Sequence, residues 1–161
     1  MAPDEVTLRR TLCLDMLLAH TVFQSGKYDD AIQQFDSIIN ASTTSSTELV
    51  KAHCLCTKGR AYLESYILQA EDLKYFDLAL ESLNESLAIY REKNQYSEMF
   101  ICEKFLAHLW KTRVEGNPRA AVTALQHVKN AEKLLTNLRR NLKYLPLSGS
   151  LWTLAYGLVM T

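Results

Sequence analysis

Apolar residues that return every three or four positions, in one segment after another, constrain this chain more than any other feature of its sequence. Leu8, Leu12, Met16, Ala19 and Phe23 fall on one face of a first helix that stops at Gly26. Tyr28, Ala31, Ile32, Phe35, Ile38 and Ile39 do the same for a second, within GKYDDAIQQFDSIIN. Residues 41–47, ASTTSST, read as a polar loop, and Ser45 followed by Glu48 fits a capping box, hydroxyl and carboxylate each taking a free N–H. A third helix carries Leu49, Ala52, Cys56, Gly59, Leu63 and Tyr66. A fourth carries Ala79, Leu80, Leu83, Leu87 and Tyr90 and ends near EKNQ. A fifth holds Ile101, Phe105, Leu109 and Trp110 and breaks at EGNP, where Pro118 suits the first turn of a helix. The sixth then runs to about Lys143, with Val122, Leu125, Val128, Leu135, Leu138 and Leu142 as its apolar positions. The alternation of a half-buried strand occurs nowhere, so the expected fold class is all-α.

The helices form similar pairs. In the first, Ala19 is followed by Gly26, Tyr28, Ala31 and Phe35; in the second, Gly59 and Tyr62 lead to Phe76, Ala79, Leu80 and Leu83; in the third, Ala107 and Trp110 lead to Gly116, Ala120 and Ala124. Small residues at the crossings let two helices approach and a large ring pack beside the gap. This pattern resembles the tetratricopeptide-repeat family, whose G-x-Y-x-x-A turn is matched by Gly26, Tyr28 and Ala31. The segment from Tyr75 to Trp110 is similar to the longer repeats of multiprotein scaffolds. The resemblance covers residues 8–135 and implies one domain over residues 1–161: a right-handed α-solenoid of antiparallel helix pairs, about three repeats and a C-terminal helix. From Gly59 to Ala79 is 20 residues, against 12 from Ala19 to Ala31, so the second turn carries 8 extra residues around ESYILQAEDLK. Those residues either lengthen both helices or form a loop.

Stacked repeats expose the first helix of each pair along a concave groove. The resemblance implies that Met16, His20 and Phe23, then Cys56, Arg60 and Leu63, then Lys104, His108 and Lys111 line it, apolar at one end and basic at the other. Phe23, Leu63 and Met16 would anchor a partner. Arg60, Lys104 and Lys111 would pair with an acidic side chain or a C-terminal carboxylate, each charge-assisted hydrogen bond contributing about 1.5–3 kcal/mol. Met16 and His20 differ from the residues with which family members grip the tails of heat-shock chaperones, so that specificity is not implied.

Composition narrows the classes. The 161 residues carry no net charge, but residues 1–103 hold 9 Lys/Arg against 16 Asp/Glu and residues 104–143 hold 9 against 2. An acidic and a basic half help each other fold and stay soluble, or the basic half meets an acidic partner. The basic residues of the sixth helix are spread out rather than clustered with aromatics, which disfavours nucleic acid. Phosphate-binding glycine loops, G-x-S-x-G elbows and H-E-x-x-H helices are missing, so no enzyme, small-molecule substrate or cofactor is expected. His53, Cys54 and Cys56, with His20, are the sharpest metal candidates, but Cys54 and Cys56 point about 200° apart on a helix, so buried cysteines are expected there instead, and all four cysteines read as free, small hydrophobes. MAPDEVTLRR has acids where a secretory signal has bases, and no membrane span is expected; the reading is cytosol or nucleus.

The end of the chain, LPLSGSLWTLAYGLVMT, offers an uncharged apolar segment from Leu151 to Met160. It either packs back on the sixth helix or begins the next repeat of a longer solenoid, and its small residues favour the second. Leu151, Trp152, Leu154, Tyr156 and Leu158 would then dock a partner or a second copy. The expected function is a non-catalytic scaffold or adaptor that holds a peptide or helix of another protein in its groove. The alternative is a structural subunit of a larger complex assembled through that apolar segment.

Overall fold

The computed structural model describes residues 4–70 and 72–142. Six helices follow one another: α1 (Glu5–Gln24), α2 (Tyr28–Ala41), α3 (Glu48–Leu68), α4 (Leu73–Glu92), α5 (Tyr96–Lys111) and α6 (Pro118–Leu142). No strand occurs among the described residues. Candidate docking residues Leu151, Trp152, Leu154, Tyr156 and Leu158 lie outside them.

Local chemistry sets the boundaries. Asp4 accepts from Thr7 N at 2.6 Å and Asp72 from Lys74 N at 3.0 Å, so a carboxylate satisfies a free donor at the start of α1 and of α4. Asn117 does the same for α6, accepting from Ala120 N just ahead of Pro118. Gly26 leaves α1 at φ +82°, and Asn94 leaves α4 in the same left-handed region, with Gln95 N donating back to Tyr90 O at 2.9 Å. The cap expected at Ser45 and Glu48 is displaced by one residue. A 3-10 turn, Ser45–Thr47, precedes α3, and the reciprocal side-chain cap joins Thr44 and Thr47. The 8 extra residues of the second pair lengthen its helices: α3 has 21 residues and α4 has 20, with only residues 69–72 between them.

Consecutive helices pack together, most extensively α3 with α4 and α5 with α6; α1 also reaches α3, and α3 reaches α5. Two clusters make the core. Leu12, Ala19, Phe23, Ala31, Ile32, Phe35 and Ile38 pack with Val50, Cys54 and Ala61 of α3. Ala52, Cys56, Leu63 and Tyr66 of α3 pack instead with Phe76, Ala79, Leu83, Leu87, Tyr90, Met99, Cys102, Leu106 and Leu109. At about 100° per residue these two sets of α3 positions lie on opposite sides of the helix. α3 is therefore the shared wall between the clusters, a role that a one-faced amphipathic helix cannot fill.

Small residues allow the closest approaches. Ser86 Oγ donates to Ala52 O at 2.7 Å, and Cys102 lies 3.8 Å from Cys56, sulfur to sulfur, so α3, α4 and α5 meet at short-chain positions. A buried polar lock ties α5 to α6: Glu103 Oε2 sits 2.6 Å from His127 Nδ1, and Asn130 Nδ2 donates to Oε1 at 3.4 Å. That lock turns Ala120, Ala131 and Leu134 inward and leaves Val122, Leu125 and Val128 exposed, which corrects the apolar face expected for α6. Ile101 is likewise exposed, and Met99, Cys102, Leu106 and Leu109 are the buried positions of α5.

Gly59 tests this packing. A Cβ there would stand 2.7 Å from Leu83 Cγ and 3.3 Å from Ala79 O, both in the tightest part of the α3–α4 contact. Alanine normally favours a helix by about 1 kcal/mol over glycine, but overpacking costs about 1–3 kcal/mol. The clash wins because Leu83 is fully buried and Ala79 O is backbone. Gly59→Ala should therefore lower stability in urea unfolding, and a more stable variant would contradict the close α3–α4 approach.

Candidate functional site

Between the two buried faces of α3 runs a strip carrying His53 and Arg60, seven residues and nearly two turns apart. α1 borders it on one side and α5 on the other. The Arg60 guanidinium lies between two phenyl rings, 5.1 Å from the centroid of Phe23 on α1 and 4.5 Å from that of Phe105 on α5. Each cation–π contact contributes about 0.5–1 kcal/mol at an exposed site and more where water is excluded. Arg60 makes no hydrogen bond or ion pair among the described residues. A guanidinium carries a planar fork of N–H donors, the geometry that matches a carboxylate.

Two imidazoles stand beside it. The rings of His20 and His53 are 6.2 Å apart, and His20 is 5.8 Å from Phe23. His20 Nδ1 is buried and finds no hydrogen-bond partner among the described residues. Loss of hydration lowers the pKa of His20, and the Arg60 charge lowers it further. His53 reaches solvent at one edge, yet the protein around the rest of its ring also lowers its pKa, reinforced by His20 and Arg60 and opposed by Glu98.

The nine groove positions expected from the sequence separate into three environments. Met16, His20 and Arg60 are half-buried and share the α1–α3 strip, with Phe23 as a platform that is 9% exposed. Cys56 at 6% and Leu63 at 1% belong to the core on the α4 side of α3, so they offer no surface to a partner, and the anchoring role expected of Leu63 is withdrawn. Lys104, His108 and Lys111 are exposed and line a groove with Phe105, Ala107, Ala124, Leu125 and Val128, between α5 and α6. Phe105 joins the two regions, touching Arg60 and lining the groove. It was not among the expected residues; its signal was an aromatic one position after Lys104 on the same inner helix.

The cysteines do not converge. Cys54 packs in the α1–α2 cluster and Cys56 in the α4–α5 cluster, and burial pushes the Cys54 thiol up to about 12. A thiol so held is a small apolar side chain rather than a nucleophile or ligand at neutral pH. No group of three or more His, Cys, Asp or Glu able to hold a metal occurs among the described residues.

No protein-family model, curated protein or solved structure matches the chain.

The lowered histidines fix a pH dependence. The folded chain resists protons that the unfolded chain takes up below the ordinary value of 6.5. Their stabilising contribution is therefore present above about pH 6.5 and lost as pH falls through the lowered values. The melting temperature should drop more between pH 7 and pH 5 in the unaltered chain than in His20→Gln/His53→Gln. Parallel profiles would show that the two rings are not desolvated.

Proposed function

We propose that this chain is a non-catalytic protein-interaction module, a scaffold or adaptor whose helix pairs stack as a tetratricopeptide-like right-handed solenoid. Its inner face receives an acidic extended or helical segment of another protein. The contacts of α1 with α3 and of α3 with α5 support this arrangement, because they link the first helices of successive pairs into one layer. The observation that carries the reading is Arg60, half-buried and in cation–π contact with both Phe23 and Phe105.

An arginine in that position is already ordered, so a carboxylate binds without the usual cost of fixing a long side chain. His20 and His53 stand close enough to gain a proton when an acid approaches, and Met16 offers apolar contact next to them. Lys104, His108 and Lys111 extend the positive field and set the partner's orientation. No helix among the described residues is long and apolar enough to cross a membrane, and the reading places the module in cytoplasm or nucleus as part of a larger assembly.

An acidic peptide selected from a displayed library against the unaltered chain provides the test. Arg60→Glu should weaken its binding by more than about tenfold, the loss of one charge-assisted pair. Arg60→Lys should also weaken it, because an ammonium neither stacks between two rings nor forms a fork. Equal binding by all three chains would overturn the reading.

A further inference from the structure

The two imidazoles beside Arg60 have different neighbours. Arg60 and His53 are seven residues apart on α3, and Phe105 and Glu98 are seven apart on α5. Phe105 meets Arg60, and the charge of Glu98 acts on His53, so the two pairs keep the same order along helices that run side by side. His53 thus stands between bases and an acid: His20 on α1, Arg60 on its own helix and Glu98 on α5. His20 has no such acid. Its ring lies 5.8 Å from Phe23 and 6.2 Å from His53, its Nδ1 is buried without a hydrogen-bond partner among the described residues, and the charge that acts on it is that of Arg60.

We infer that this site is proton-gated: an acidic segment that binds at Arg60 brings one proton onto His53, so binding is tighter below neutral pH and looser above it. The inference rests on the reading of Arg60 as the carboxylate site and adds the regulation of that site.

The free chain keeps both rings neutral at pH 7, through loss of hydration first and the positive charge of Arg60 after it. A carboxylate at Arg60 offsets that charge for both rings at once. His53 then gains most, because Glu98 already favours its protonated form and its exposed edge can take the proton from water. The 6.2 Å between the rings limits the uptake to one proton, since a charge on either imidazole opposes a charge on the other. The coupling is reciprocal: a partner that raises the affinity of His53 for a proton is itself bound more tightly once the proton is there.

The acidic peptide selected on the unaltered chain is the probe. Its Asp and Glu side chains stay ionised above pH 6, because their ordinary pKa values are about 4. Titration calorimetry between pH 6 and pH 7.5, in two buffers of different ionisation enthalpy, reads both the affinity and the protons taken up, with circular dichroism checking the fold at each pH. The unaltered chain should bind at least about threefold more tightly at pH 6 than at pH 7.5, within the limit of about tenfold per pH unit that one proton sets. His53→Gln should show a flat profile and no uptake, whereas His20→Gln should keep the uptake. Glu98→Gln should shift the rise in affinity to lower pH. Should His53→Gln unfold, the ring C–H signal of His53 replaces it, and its titration should move to higher pH when the peptide is bound.

Binding that Arg60→Glu weakens more than tenfold but that takes up no proton overturns the gate and leaves the carboxylate site standing. So does an uptake that survives in His53→Gln, or a His53 titration that the peptide leaves in place. Binding that Arg60→Glu leaves unchanged, or failure to select any acidic peptide, overturns the carboxylate site and the gate together.

Discussion

α3 is buried on two opposite faces, and the rest of the structure depends on that burial. One face meets α1 and α2 through Val50, Cys54 and Ala61; the other meets α4 and α5 through Ala52, Cys56, Leu63 and Tyr66. Only narrow strips remain for polar side chains. One strip carries Lys51 and Lys58, paired with Glu85 at 3.2 Å and Asp36 at 2.6 Å on the neighbouring helices. The other carries His53 and Arg60. Exposed ion pairs of the first kind contribute about 0–1 kcal/mol each, so they select the way the helices face rather than hold them. The apolar contacts on either side of α3 do the holding.

The candidate site follows from the same constraint. Gly59 and Arg60 are adjacent, about 100° apart on the helix. The glycine lets α4 come close, and the next residue is thereby directed between α1 and α5, where Phe23 and Phe105 take it from either side. A change at Gly59 that moved α3 away from α4 would also move Arg60 relative to its rings. Fold and site are coupled here through one turn of helix.

The sequence made the helices legible because periodicity and end signals agreed: Gly26, EKNQ and EGNP all mark ends where the structure has them. It was less informative about which apolar stripe is buried. α6 carries two, and the larger residues Val122, Leu125 and Val128 drew the expectation, while Ala120, Ala131 and Leu134 pack inward. Small residues bury because α5 lies close, and closeness is a tertiary fact that no spacing within α6 contains. Leu63 and Cys56 were misplaced for a related reason, since a helix buried on both sides has no single apolar face from which to count. The buried Glu103–His127 pair gave no local signal at all, its partners lying 24 positions apart on different helices.

Arg60 is the centre of the account, and its own N–H resonances report on it most directly. With an acidic peptide that binds the chain, the Nε–Hε signal of Arg60 should shift on titration together with the imidazole signals of His20 and His53, while the side-chain signals of Lys51 and Lys58 stay in place. Saturable binding that leaves Arg60 and both histidines unmoved would contradict it.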